Sequence, residues 1–93
     1  MLKIIRRFAV NLPLRETGVL TGFDHHSKMW LICRQNEIVL AEVVNFKSQE
    51  EQHYPILEQK VEFEAFIEND QVLRRATNIT GLNGQPIRQR EFL

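Results

Sequence analysis

The feature that most constrains this chain is a strict alternation of apolar and polar positions late in the sequence. Val61, Phe63, Ala65 and Ile67 alternate over 61–68 with residues that are mostly glutamates. A period of two belongs to a β-strand with one buried and one exposed face, and it does not fit a helix. The sequence therefore predicts a half-buried strand here and a chain built from β-structure.

Four further segments have the composition of strands, with polar stretches between them. They are residues 18–23, 29–33, 38–44 and 72–79. Short polar runs at 24–27 and 68–71 predict turns, whereas 45–55 predicts a long loop. Because 38–44 is largely apolar and rich in β-branched residues, we expect much of both its faces to be covered.

Five short antiparallel strands leave unpaired edges, and closing them into a small barrel removes those edges. At 93 residues the chain is long enough for one domain. We therefore predict an all-β fold, a five-stranded antiparallel OB-fold barrel, although an SH3-like barrel fits the same pattern. The barrel is assigned to residues 16–82, between a basic N-terminal extension at 1–15 and a C-terminal tail at 83–93.

Twelve Lys and Arg residues balance twelve Asp and Glu residues, but the charges are separated along the chain. Residues 1–15 carry four cations and no acid, residues 37–70 carry nine acids against two lysines, and residues 71–93 are again basic. Basic ends of this kind attract polyanions even when the net charge is zero. Charges on solvated strand faces would give the same distribution without any ligand.

The basic N-terminal segment has apolar residues at helical intervals and resembles a mitochondrial transit peptide. The alternative is an extra strand or short helix that packs on the domain. We expect an intracellular protein, either mitochondrial or cytoplasmic. No apolar run approaches the roughly 18 residues of a membrane span, and a single cysteine excludes an internal disulfide framework.

Several motifs between residues 17 and 87 resemble cold-shock domains. The segment 54–64, Tyr-Pro-Ile-Leu-Glu-Gln-Lys-Val-Glu-Phe-Glu, is similar to the start of the family's fourth strand. The segment 75–81, Arg-Ala-Thr-Asn-Ile-Thr-Gly, resembles the family's closing Ala-x-Asn-Val-Thr, and 81–87 is similar to the continuation in Y-box proteins. The resemblance implies an OB barrel that binds single-stranded RNA or DNA by stacking bases on aromatic side chains of the second and third strands.

The chain departs from the family pattern at the stacking positions. The family's first-strand Trp is Gly22 here. With one residue inserted in the preceding turn, Lys28 and Trp30 retain a cation and an aromatic ring of the first RNA-binding motif, and we favour this alignment. An ungapped alignment instead places Met29 and Leu31 at the two Phe positions of that motif.

The second RNA-binding motif corresponds to residues 38–42. Its outward Phe, His and Phe become Val39, Ala41 and Glu42. An aliphatic face that replaces a stacking face is typical of a docking surface or a dimer interface. The residues that would form it are Met29, Leu31, Val39 and Ala41.

Two functional hypotheses follow. The first is modest binding of single-stranded RNA or DNA, with Trp30 as a stacking platform, although a core position for this Trp is an equally ordinary explanation. The candidate residues are Phe23, Lys28, Trp30, Arg34, Tyr54 and Arg74. The second is a protein-interaction module, either a homodimer or a subunit of a larger ribonucleoprotein complex.

Neither a metal site nor an enzyme is predicted. The candidate ligands His25, His26, His53 and Cys33 match no metal-ligand spacing. Cys33 has no recognisable orienting acid or oxyanion hole that would make it a nucleophile. We therefore expect no cofactor.

Overall fold

The computed structural model describes residues 14–47, 54–69 and 71–90, which form a closed five-stranded barrel. The strands are β1 (Glu16–Asp24), β2 (Met29–Arg34), β3 (Glu37–Ala41), β4 (Lys60–Phe66) and β5 (Arg75–Thr80). Short 3-10 turns at Val43–Asn45 and Leu82–Gly84 follow β3 and β5. The order around the barrel is β1-β2-β3-β5-β4, which confirms the predicted all-β, OB-fold-like architecture.

One pairing departs from the predicted antiparallel pattern. β3 and β5 are parallel, with Leu40 opposite Arg75 and Ala41 opposite Ala76. The other four pairings are antiparallel. Because β5 returns from β4 antiparallel to it, β5 must run in the same direction as β3 when it reaches that strand and closes the barrel.

The barrel interior is filled by one apolar cluster. Its members are Leu20, Ile32, Val39, Ala41, Phe46, Val61, Phe63, Ala76, Ile79 and Ile87. In β4 the predicted alternation is confirmed: Val61 and Phe63 are fully buried, and Ala65 packs against the cluster. Ile67 lies beyond the end of the strand and is 60% exposed, so the alternation ends with β4.

A β-bulge at Thr21 decides which side chains of β1 face the interior. Leu20 lies opposite Ile32, but the register then shifts, and Phe23 lies opposite Trp30. Without the extra residue, Leu20 and Phe23 would lie on opposite faces of the strand. The bulge therefore brings Phe23 to the face of the sheet that also carries Leu20 and Trp30.

Two predicted strands are shorter than their apolar segments. β3 ends at Ala41, and Val43 and Val44 lie in the 3-10 turn instead of in the strand. This turn lets Phe46 return to the core, where it forms a bridge with Ile79. At the other segment, β5 begins at Arg75, so Val72 precedes it in a loop and is 91% exposed.

The described part of the predicted C-terminal tail packs against the barrel. Ile87 is buried in the core, and Gln89 forms a bridge with Pro55. Gln59 joins the two segments, since its side-chain amide donates to the carbonyl oxygens of Ile56 and Arg88 and its oxygen accepts from the Arg88 N–H. Residues 1–13, with the predicted targeting segment, lie outside the described residues.

We predict that Gly18→Ala destabilises the barrel and that Gly22→Ala does not. A Cβ atom at Gly18 would lie 2.6 Å from Ile32 Cγ2 and 2.9 Å from the Cys33 carbonyl oxygen, whereas one at Gly22 would meet nothing within 4 Å. Overpacking of this kind costs about 1–3 kcal/mol, so urea unfolding should separate the variants. Equal unfolding midpoints would contradict the close approach of β1 to β2 at Gly18.

Candidate functional site

The strand directions give the barrel two distinct ends. β1, β3 and β5 run one way, and β2 and β4 run the other way. The aromatic end, where β1, β3 and β5 finish, carries Phe23, Trp30 and Phe46. The ionic end, where β1, β3 and β5 begin, carries Glu16, Arg34, Glu37 and Arg74.

The aromatic end holds a row of rings packed edge to face. The Phe23 and Trp30 ring centroids are 4.9 Å apart at an interplanar angle of 62°, and those of Trp30 and Phe46 are 6.1 Å apart at 85°. His25 extends the row, 5.2 Å from Phe23 at 77°. Phe46 is buried, Phe23 and Trp30 are half-buried, and His25 is exposed. The row therefore passes from the core to the solvent.

Trp30 takes the core-packed position that the sequence left open beside a stacking role. Trp30 is two residues from the fully buried Ile32, so it shares the inward face of β2 and packs against the core. The outward positions of β2 belong to Met29, Leu31 and Cys33. This orientation agrees with the ungapped alignment of the first motif and not with the gapped alignment that we favoured.

The turn between β1 and β2 adds a cation beside the aromatic row. Asp24 organises this turn, because its carboxylate accepts from the backbone N–H groups of His26 and Ser27 at 3.3 and 3.2 Å. The side chain of Ser27 and the amide of His26 hold the pKa of Asp24 below its usual value. Lys28 ends the turn with a φ of 65°, is exposed, and forms no ion pair with any described residue.

Other cations occupy the connections at this end. Lys47 follows Phe46 and donates from Nζ to the Gly84 carbonyl at 2.8 Å. Arg88 is placed by the hydrogen bond from its N–H to Gln59 Oε1. Among the described residues, the acids at the same connections are Asp24, Glu42 and Glu58.

The ionic end contains two predicted nucleic-acid contacts that are already paired. Arg74 donates to both carboxylate oxygens of Glu16 at 2.7 and 2.8 Å and to both of Glu37 at 2.6 Å. Arg34 Nε lies 3.3 Å from Glu16 Oε1. The predicted phosphate contacts of Arg34 and Arg74 would therefore compete with these ion pairs. Both side chains instead close this end of the barrel.

The backbone of Tyr54 is joined to the C-terminal segment by two hydrogen bonds. Its N–H donates to Gln89 Oε1 at 2.8 Å, and its carbonyl accepts from the Arg90 N–H at 2.6 Å. The residue is 41% exposed and lies in the segment that leads into β4. Tyr54 therefore lies where the C-terminal segment meets the segment before β4.

The predicted aliphatic patch is only half correct. Val39 and Ala41 are fully buried in the core, because β3 faces inward at these positions and outward at Ile38 and Leu40. A one-residue error in phase exchanges the two faces of a strand, and the apolar run 38–41 of β3 contains no polar residue to set the phase. We define the outer face by the following residues: Val19, Met29, Leu31, Cys33, Ile38 and Leu40.

The outer face is built from direct cross-strand pairs. Leu31 lies opposite Leu40, and Cys33 lies opposite both Ile38 and Val19. Ile38 is 42% exposed, and the others are half-buried. The sequence analysis did not name Ile38 and Leu40, because it placed the alternate residues Val39 and Ala41 on the outward face. It also missed Phe46, an isolated aromatic residue in a segment assigned to a loop.

The described part of the chain has neither a cluster of metal ligands nor a membrane-spanning helix. Residues 14–47, 54–69 and 71–90 contain no group of three His, Cys, Asp or Glu side chains arranged to hold a metal ion. Within the same ranges, no helix has the length and apolar character needed to span a membrane. His53, one of the candidate ligands weighed from the sequence, lies outside these ranges.

We predict that the ionic end makes the fold sensitive to acid. Hydrogen bonds from Arg74 lower the pKa values of Glu16 and Glu37 from an ordinary 4.5. Their contribution to the free energy of unfolding is therefore fully present above about pH 4.5, the pKa of the unfolded chain. It is lost as the pH falls through the lower pKa values of the folded protein. Arg74→Met should lower the free energy of unfolding by about 1–2 kcal/mol at pH 7 and by less at pH 3. The loss is modest because the paired side chains keep part of their exposure.

Urea unfolding of wild type and Arg74→Met across this pH range tests the prediction. Lys28→Asn is the matched control, because it removes a cation that forms no ion pair with any described residue and places Asn at a positive φ that Asn tolerates. A stability difference for Arg74→Met that does not change with pH would refute the role of the two carboxylates.

Comparison with protein-family models and with curated proteins gives no match to this chain. The cold-shock resemblance therefore stays a hypothesis that depends on the motifs quoted above. An OB-fold-like barrel serves many unrelated functions, so its architecture alone does not identify one. The functional case depends on the chemistry of the aromatic end and of the outer face.

Proposed function

We propose that this domain binds single-stranded RNA at its aromatic end. The observation that carries the proposal is the row of His25, Phe23 and Trp30, whose rings pass from the solvent to the core beside the exposed Lys28. Rings that keep part of their surface exposed can stack on bases, and a neighbouring ammonium group attracts phosphate. The turn between the first two strands is also an element that OB folds use to bind oligonucleotides.

The proposed contacts differ from those expected from the sequence. Arg34 and Arg74 are excluded, since their charges are balanced by carboxylates at the opposite end of the barrel. Lys47, which directly follows Phe46 of the aromatic row, joins Lys28 as a proposed phosphate contact. Few rings are exposed, so binding is expected to be weak, tolerant of base sequence and sensitive to salt.

The test is a fluorescence-anisotropy titration with a labelled single-stranded RNA of about ten nucleotides, within the roughly 4–16 that an OB fold covers. Trp30→Leu should weaken binding roughly tenfold, since one base stack contributes about 1–3 kcal/mol. Lys28→Asn should weaken binding. The slope of log K against log[salt] should also decrease by the amount that corresponds to about one phosphate contact. Arg34→Gln is the matched control and should bind like wild type.

Circular dichroism and thermal unfolding must show that Trp30→Leu remains folded, because Trp30 packs against the core. His25→Ala gives a second measurement that does not depend on core packing, since His25 is exposed. The proposal fails if wild type does not bind at micromolar concentration in low salt. It also fails if Arg34→Gln weakens binding while His25→Ala and Lys28→Asn do not.

The outer face supports a second candidate function, docking of another protein. Leu31, Leu40 and Ile38 form an aliphatic surface with no aromatic ring for base stacking. Such surfaces are typical of protein interfaces. Val39 and Ala41 take no part because they are buried.

We predict that Leu31→Glu removes protein docking and leaves RNA binding unchanged, because it places a charge on the outer face and not at the aromatic end. Light scattering of wild type and variant would show whether the partner is a second copy of the chain. Co-purification from native extract would show a different partner. A loss of RNA affinity in Leu31→Glu would contradict the separation of the two surfaces.

A further inference from the structure

A pocket lies between the entry to β4 and the segment that follows β5. Its volume is about 460 Å³, within the roughly 300–1,000 Å³ of small-molecule sites. Its lining comes from two segments of the chain, 58–60 and 81–88. Phe23, Trp30 and Phe46 are not among the lining residues, so the pocket is separate from the aromatic row.

Hydrogen bonds within the chain hold the two segments together. Gln59 is 1% exposed, and its amide nitrogen donates to the carbonyl oxygens of Ile56 and Arg88, both at 2.8 Å. Its Oε1 accepts from the Arg88 N–H at 3.0 Å. In the second segment, the Gly81 N–H donates to the Gln85 carbonyl at 2.7 Å. Because these bonds fix the backbone on both sides, little ordering of the chain is needed when a ligand binds.

Two unpaired cations and one carboxylate line the pocket. Lys60 and Arg88 are exposed, and neither forms an ion pair with any described residue. Glu58 is also exposed and is the one acid among the described lining residues. An ammonium group and a guanidinium group attract a phosphate, and the guanidinium can donate two parallel hydrogen bonds to it. The lining therefore favours a ligand with an anionic group.

The carboxylate of Glu58 narrows the class of anion. The Glu58 N–H donates to the Leu20 carbonyl at 2.7 Å, and this bond holds the backbone of Glu58 at a φ of 68°. A carboxylate repels a bare phosphate but accepts hydrogen bonds from hydroxyl groups. In dinucleotide-binding folds, an acidic side chain recognises the 2′-hydroxyl of ribose in this way. A ligand that carries hydroxyl groups beside its phosphate therefore suits the lining better than inorganic phosphate does.

The pocket also offers apolar surface. Leu82 is 43% exposed and Pro86 is half-buried, and both line the pocket. Small-molecule sites usually combine such surface with a few polar groups that orient the ligand. The flat face of a nucleobase can cover these two side chains, whereas a sugar phosphate alone would leave them exposed.

We propose that this pocket binds one ribonucleotide. Its phosphate lies between Lys60 and Arg88, and its 2′-hydroxyl donates to Glu58. Its base covers Leu82 and Pro86. The same chemistry is present in a free mononucleotide and in one residue of an RNA strand. The inference does not depend on RNA binding at the aromatic row, because no residue of that row lines the pocket.

The test is an NMR titration of the ¹⁵N-labelled chain with AMP, to about 10 mM because affinities of about 1 mM are ordinary for so small a ligand. The backbone amide signals of Lys60 and Leu82 and the Arg88 Nε–Hε signal should shift together. The matched probe is 2′-deoxy-AMP, which should bind roughly threefold more weakly because it lacks the hydroxyl that donates to Glu58. Inorganic phosphate should bind more weakly still.

Four variants test the assigned contacts. Lys60→Gln and Arg88→Gln should each weaken AMP binding by roughly threefold or more, and both keep the fold because the side chains are exposed. Glu58→Gln should reduce the preference for AMP over 2′-deoxy-AMP, since an amide oxygen accepts less strongly than a carboxylate does. Arg75→Gln is the matched control and should bind AMP like wild type, because it removes a cation that does not line the pocket.

A titration with the single-stranded RNA oligonucleotide identifies the source of the ribonucleotide. RNA that shifts the same three signals would show that the pocket takes one residue of a strand. AMP binding without such shifts by RNA would show that the ligand is a free mononucleotide.

Other outcomes would overturn the inference. If AMP shifts none of the three signals, the pocket is not a ribonucleotide site, and the proposal for the aromatic row is unaffected. Equal affinity for AMP, 2′-deoxy-AMP and inorganic phosphate would reduce the pocket to a general attraction for anions. Equal weakening of AMP binding by Arg75→Gln and Lys60→Gln would also contradict a contact made within the pocket.

Discussion

The short parallel pairing of β3 with β5 closes the barrel, and Arg74 strengthens this closure. Only Leu40 with Arg75 and Ala41 with Ala76 are paired between the strands. The backbone of Arg74 adds a hydrogen bond, because its carbonyl accepts from the Leu40 N–H at 2.9 Å. Its guanidinium then joins Glu16 of β1 to Glu37 of β3. One residue therefore connects three strands at the place where the barrel is least well paired.

This closure determines where chemistry is available. At one end, the positive charge of Arg74 is paired with the carboxylates of Glu16 and Glu37. At the opposite end, the rings of Phe23, Trp30 and Phe46 pack together. The nearby Lys28 and Lys47 form no ion pair with any described residue. The RNA contact that we propose at the aromatic end depends on this difference, because Lys28 is exposed and forms no ion pair with any described residue.

The inside and outside of the sheet divide the two proposed activities. The half-buried Trp30 belongs to the inward face and meets solvent only at the aromatic end. Leu31, its neighbour in β2, belongs to the outer face and pairs with Leu40. Since adjacent residues of a strand point to opposite faces, RNA and a partner protein would use different surfaces of the same few strands.

Much of the fold was predictable because its signals are local. The alternation in β4 identified Val61 and Phe63 as core residues, and polar runs located the turn after β1. The candidate site was predicted less well. β3 is apolar on both faces, so its sequence does not show whether Val39 or Leu40 faces inward, and the outer-face assignment was one residue out of phase.

The bulge at Thr21 and the pairing of Arg74 have no local sequence signal at all. A bulge is defined by the register of two strands, and the partners of Arg74 lie 58 and 37 residues away along the chain. Both depend on contacts that exist only after the barrel closes. The residues near Phe23 and Arg74 in the sequence therefore do not show that Phe23 faces inward or that Arg74 is paired with two glutamates.

The sequence by itself determined an all-β domain, the number of its strands and the core residues of β4, because periodicity and turn composition act over a few residues. Only the tertiary structure decided which side chains reach solvent together. It placed Phe23 beside Trp30, paired Arg74 with Glu16, and set Leu40 on the outer face. Strand register and barrel closure control these relations, and both arise from contacts between residues distant in the chain.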